Sequence, residues 1–281
     1  MNALWSWIVA PLAYGFMQRG MLAATLVGVL CAIVGCYVVL RSMAFLGDAL
    51  AHAVLPGVAI AYLMGTNLTT GALVAAVVVA LLISLFSRQG TIKEDTAIGI
   101  VFAAALALGV ALISSVRTYA VDLTHIMFGN VLGVSPADLW MIAGIGATVL
   151  LTVLAFYRQF LVVAFDPVLA ATQRLPVERL RLLLLLLIAL TIVVSLQTVG
   201  VGLAAAMLVT PGATAYLLTR RMPAMMAVAA LIGAVASIVG LYLSYYINIA
   251  SGAAVVLVAT MIFTVAFLVA PGRGVLWRQG R

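Results

Sequence analysis

Residues 40–65 read LRSMAFLGDALAHAVLPGVAIAYLMG, and the reading of this stretch decides the fold. It is apolar enough to enter a bilayer, yet Asp48 and His52 interrupt it four residues apart. On a helix, positions i and i+4 stack on one face, so both side chains point the same way. At about 1.5 Å of rise per residue, Asp48 lies ~10 Å and His52 ~16 Å beyond Arg41, which marks one end of the span. In a hydrocarbon layer roughly 30 Å thick, His52 then falls close to the midplane. A carboxylate at such depth is costly unless it is paired, neutralised or wetted. An ionisable residue there is therefore a functional hypothesis by default.

The rest of the chain has the same character. Of its 281 residues 67% are hydrophobic and only 7% charged, with a mean hydropathy of +1.32, whereas a soluble domain carries roughly a quarter charged residues. This composition implies an all-α polytopic membrane protein, residues 1–281 forming a single transmembrane domain. Hydrophobic segments fall at about 20–40, 45–64, 69–87, 96–116, 138–157, 182–200, 201–218, 224–247 and 252–270. Two of them abut at TVGVG, which makes one a broken or partial span and gives about eight to nine transmembrane helices. Residues 1–17 lack the basic start of a cleavable signal, and Trp5 and Trp7 suit an interface. They are expected to form an interfacial helix or an extra span, with Pro11 and Gly15 against a long regular one.

The net charge of +7 does not imply nucleic acid, because the basic residues sit at the ends of hydrophobic runs. Placing the C-terminus in the cytoplasm puts Arg41, Arg88, Lys93, Arg158, Arg174, Arg179, Arg181, Arg220, Arg221, Arg273, Arg278 and Arg281 inside. Only Arg19 and Arg117 of the 14 basic residues are left outside, as the positive-inside bias requires. Cys31 and Cys36, at i,i+5 in one apolar segment, read as small packing residues.

A carboxylate beside an imidazole suits a divalent ion such as Mn²⁺ or Zn²⁺. One helix supplies an incomplete shell, but a two-fold dimer with this helix on its axis brings two Asp and two His together. Pro56 and Gly57 predict a kink in the same helix. Two other readings stay open from the residues alone: a proton relay, and an Asp–His pair that satisfies itself inside a bundle. VDLTHIMFGN offers a second pair, Asp122 and His125, in an outside connection, either an entrance for cations or polar caps facing water. Glu94 and Asp95 open a span, where negative charge suits a helix N-terminus. The long inside stretch 158–181 holds Asp166 before Pro167, a good helix start, and Pro176 to end it. It is either an amphipathic helix shown to a soluble partner or a solvated connection. No P-loop, H-E-x-x-H or G-x-S-x-G motif occurs, so the chain carries no nucleotide-hydrolysis, zinc-protease or serine-hydrolase signature of its own.

Taken together, VLRSMAFLGDALAHAVLPGVAIAYLMG, EDTAIGIVF, HIMFGNVLGV, FDPVLAATQRLPVERL and VGVGLAAAMLVTPGATAYLL resemble, in order, the permease subunits of the manganese/zinc/iron class of bacterial ABC importers. The likeness runs from about Pro11 to Ala270. It implies a type II importer-like fold in a bacterial plasma (inner) membrane, with two permease copies, separate cytoplasmic ATP-binding subunits and an extracytoplasmic solute-binding protein. It carries the family's metal ligands onto Asp48 and His52. A coupling helix falls on Asp166, Pro167, Ala170, Arg174 and Leu175, where Arg174 stands in place of the usual glycine. Gly212 follows Pro211 where an alanine is commoner. The transported metal is expected to be Mn²⁺ or Zn²⁺ ahead of Fe²⁺, with no permanently bound cofactor. A proton-coupled secondary transporter using Asp48 and His52 as relay is the alternative.

Overall fold

The computed structural model describes residues 9–88, 92–114, 131–198 and 200–270. These are almost wholly helical, with no strand among them. The helices are α1 (Gly15–Leu40), α2 (Phe45–Ala53), α3 (Leu55–Leu63), α4 (Leu68–Ser87), α5 (Glu94–Ser114), α6 (Pro136–Ala155), α7 (Tyr157–Phe165), α8 (Pro167–Thr172), α9 (Val177–Thr198), α10 (Val201–Leu218), α11 (Met222–Ile247) and α12 (Ser251–Val269). A 3₁₀ turn, Val131–Gly133, precedes α6. With α2 and α3 taken as one span, eight stretches among the described residues are long and apolar enough to cross a membrane, and α10 is a shorter ninth. Each hydrophobic segment read from the sequence has its helix. The start of α1 lies earlier than expected, so Gly15–Met17 belong to the first span and Met17 is buried.

Helix α1 is the spine. It packs on α11, α10, α9 and α6, and close approach is what the small residues provide. A methyl group on Gly28 would strike the Gly233 carbonyl of α11, and one on Gly35 would overlap the Leu208 carbonyl of α10. The Ser237 hydroxyl donates across the first crossing to the Ala24 carbonyl, at 2.9 Å. At the second, a Cβ on Gly212 would lie 3.1 Å from Gly35 and 3.2 Å from Cys36. An alanine there would require α1 to shift by a few tenths of an ångström. Cys31 and Cys36 are buried and unbridged, as packing residues should be.

Chain reversals are set by local backbone chemistry. Ser42 adopts a left-handed φ of 56° after α1, and Met43 donates back to Val38; this closing turn delivers the chain to α2. Gly200 takes φ 87°, ψ 166° between α9 and α10, a conformation open to glycine. It lies in the TVGVG stretch and separates the two abutting segments. At one end of the bundle the termini of α1, α7, α10 and α11 gather around a cavity of about 290 Å³ lined by Leu40, Phe165, Arg220 and Arg221. Two basic residues, Arg220 and Arg221, thus line this end, next to the C-terminus of α1.

Candidate metal-transit site

The span holding the site is interrupted. Helix α2 stops at Ala53, Val54 is a turn, and α3 restarts at Leu55 with Pro56 in its first turn. Proline is tolerated there because first-turn amides have no intrahelical acceptor. Gly57 has a different task from the kink. A methyl group on it would collide with the Gly71 carbonyl, and one on Gly71 with that of Gly57, so this pair sets the α3–α4 crossing.

Helix α2 buries Leu46, Ala49, Leu50 and Ala53 toward its own bundle. Gly47 rests on α10, where a Cβ would lie 3.1 Å from Leu208. Phe45, Asp48 and His52 occupy another face, at i, i+3 and i+7, and are only partly covered. Phe102 of α5 fills the space beside them. Its ring meets Phe45 edge-on at 5.6 Å and lies 6.2 Å from the His52 imidazole. The Nδ1 atom of His52 is buried without a hydrogen-bond partner. Asp48 and His52 share one helix face, and no hydrogen bond joins them or engages either side chain among the described residues. A self-satisfied Asp–His pair would show the opposite. Among those residues no group of three or more His, Cys, Asp and Glu converges; the α2 face brings two such side chains together.

Asp122 and His125 lie outside the described residues. Asp166, Pro167, Ala170, Arg174 and Leu175 fall on α8 and its exit. The Asp166 carboxylate accepts from the amides of Val168 at 2.9 Å and Leu169 at 3.0 Å, a helix cap. Ala170 is buried, while Val168 and Leu169 are exposed. Arg174 holds φ 57°, and the Arg174 and Leu175 amides return to Ala171 and Ala170. This left-handed helix exit is the physical reason a glycine suits the position.

Two contacts escape sequence reasoning. Phe102 reads as one more apolar residue of a span. Glu94 reads as a charge suited to a helix start, but in the fold it pairs with Arg41 at 2.6 Å, both side chains largely buried. The signal available was scarcity: with seven acidic residues in the chain, one at the mouth of a span next to the site helix needs a counter-charge.

Residues 13–270 match the model of the ABC 3 transport family. The chain belongs to that family. It is 50% identical over 270 residues to the manganese transport system membrane protein MntC of Halalkalibacterium halodurans, covering 96% of this chain and 92% of that protein. It is also 42% identical over 268 residues to the chelated iron transport system membrane protein YfeD of Yersinia pestis, covering 95% and 90%. Among solved structures, PsaBC from Streptococcus pneumoniae in complex with Fab matches with a TM-score of 0.86 and 38% identity, over 99% of this chain and all of that one. The chain is thus a multi-pass membrane subunit of an ABC transport system.

Proposed function

We propose that this subunit carries divalent metal ions, Mn²⁺ foremost, into a bacterial cell through a path shared by two copies of the chain, and that Asp48 and His52 hold the ion in transit. The observation that carries the reading is the α2 face itself. A carboxylate and an imidazole sit one turn apart in a broken span, unpartnered and half-covered, with a buried ring nitrogen waiting for a partner. A second copy related by a two-fold axis completes the set with two carboxylates and two imidazoles. Oxygen and nitrogen donors without thiolate suit an ion that must leave again. Relatives whose names specify manganese and chelated iron bracket the same chemistry.

Energy comes from a separate ATP-binding subunit. Its dock is α8, a six-residue helix capped by Asp166 that presents Val168 and Leu169 to its surroundings. The basic end lies in the cytoplasm of a cell bounded by this plasma (inner) membrane, the C-terminus with it. An extracytoplasmic binding protein delivers the ion at the other end, near Asp122 and His125.

The test is ATP-dependent ⁵⁴Mn²⁺ uptake by the complex assembled with its ATP-binding and solute-binding partners. Asp48→Asn and His52→Ala are each expected to cut uptake roughly 10–100-fold while the complex still assembles, the scale of losing metal-site interactions. Normal uptake in both variants removes the assignment. Uptake that survives ATP depletion but collapses with the proton gradient replaces it by a proton-coupled carrier.

A further inference from the structure

At the basic end of the bundle, below Asp48, lies a charge cluster the metal half-site does not use. Arg41 follows α1 and Glu94 opens α5; their side chains are 7% and 12% exposed. Arg181, in the second turn of α9, presses a further positive charge on Arg41. Burial pulls the Arg41 guanidinium below its ordinary range, and the Glu94 carboxylate works against that pull. Among the described residues, three buried polar atoms of this cluster have no hydrogen-bond partner: Arg41 Nη1, Glu94 Oε1 and Arg181 Nε. An orphaned buried polar atom is destabilising, and a buried ion pair gains little over an apolar one. The cluster therefore serves stability poorly in this state.

Its position supplies a use. Glu94, Ile98 and Phe102 recur at i, i+4 and i+8 on α5, Ile98 fully buried and Phe102 beside His52. Helices α2 and α5 pack directly. At 1.5 Å per residue, Glu94 lies ~12 Å along α5 from Phe102, whose ring meets both Phe45 and His52, the residues that bracket Asp48 on α2. A dication released from Asp48 toward this end would meet the charges of Arg41 and Arg181. Two guanidinium charges would repel it, and the Glu94 carboxylate, which has a free oxygen, is the group able to receive it.

We propose that Glu94 is the exit ligand of the metal path and that Arg41 holds it shut until a dication arrives. The pair is closed when the path is empty. The ion leaving Asp48 competes with Arg41 for the carboxylate, and the freed Arg41 turns its charge away as the ion passes. Arg181 ties the cluster to α9, which packs on α8, so movement of α8 reaches the exit directly.

This inference rests on the metal-transport reading, and the experiment separates the two. The full complex with its partners is reconstituted in vesicles, and three quantities are measured per assembled complex: ATP-dependent ⁵⁴Mn²⁺ uptake, Mn²⁺ retained without ATP, and Mn²⁺ released in one ATP-driven turnover. Glu94→Gln keeps the hydrogen bond to Arg41 but loses the charge. It is expected to retain Mn²⁺ as the parent does and to lower release and uptake roughly tenfold or more, whereas Glu94→Asp restores most of both. Parent complexes that neither retain nor transport Mn²⁺ defeat the underlying reading. A parent that transports, with Glu94→Gln complexes releasing Mn²⁺ as fast, defeats the exit assignment alone. If both Glu94 variants fail to assemble, Arg41→Lys decides: faster ATP-independent efflux from loaded vesicles supports the gate, and efflux equal to the parent's overturns it.

Discussion

The α1–α10–α11 core and the α2 helix meet at Leu208, which both Gly35 and Gly47 approach, yet that core and the outward face of α2 are built on opposite rules. In the core, glycine backbones touch neighbouring carbonyls at Gly28, Gly35 and Gly233, and Ser237 is held by Ala24 and Gly233. On α2, a nine-residue helix leaves an acid and an imidazole partly open and unpartnered. With lipid tails as apolar as leucine, helices associate through packing and buried hydrogen bonds, and the core gathers these. The site forgoes them. What stabilises this bundle and what would carry a cation through it are kept on different helices, so substitutions should separate them.

The largest effect is expected in the core. Gly35→Ala places a methyl group on the Leu208 carbonyl, an overpacking on the order of 3 kcal/mol that backbone cannot yield to cheaply. Detergent-solubilised protein should lose most of its monodisperse yield. Gly99→Ala, where an added methyl meets nothing within 4 Å, serves as control and should match or exceed the parent. Equal yields for the two would break the contrast.

At the site the ranking reverses. Asp48→Asn and His52→Ala should melt at or above the parent's temperature in detergent, since an ionisable group leaves an apolar span. A melting temperature that falls for both would return them to the core as a structural pair. Between these limits stands Pro56→Ala, which restores an amide to the α2–α3 break. The span should become at least as stable, by up to about 1 kcal/mol, because alanine is a far better helix former than proline and the first turn already spares most of that difference. Mn²⁺ uptake should fall several-fold if the break at Val54 is a moving part. Unchanged uptake would make it a static bend.

Which of these features could be read in advance follows from how each is encoded. Spans are legible because hydrophobicity is summed over roughly 20 adjacent residues, so all nine segments emerged, including the short α10. Asp48 and His52 were legible because a charge inside such a run is locally anomalous. Arg41–Glu94 was not, since its partners are 53 positions apart and each alone has an innocent local explanation. The same holds for Gly57. Its neighbour Pro56 suggests a bend, but its contact with Gly71 exists only once α3 and α4 have crossed. Local anomaly is written in one dimension, and long-range pairing is not.

The smallest expected effect tests whether α8 belongs with the rigid core or with the adjustable site. Arg174 holds φ 57° without being glycine, a conformation costing an L-residue roughly 1–2 kcal/mol, part of which the greater unfolded freedom of glycine takes back. Arg174→Gly should therefore gain about 0.5–1 kcal/mol. The gain should be local. The Arg174 and Leu175 amides close the end of α8 on Ala171 and Ala170, and hydrogen exchange at those amides should slow several-fold while the global melting temperature stays put. If the melting temperature rises by the full amount instead, α8 opens only when the whole bundle does. A helix so fixed could pass motion to α9 only as part of one rigid body, and the exit at Arg41 and Glu94 would then move with the core rather than against it.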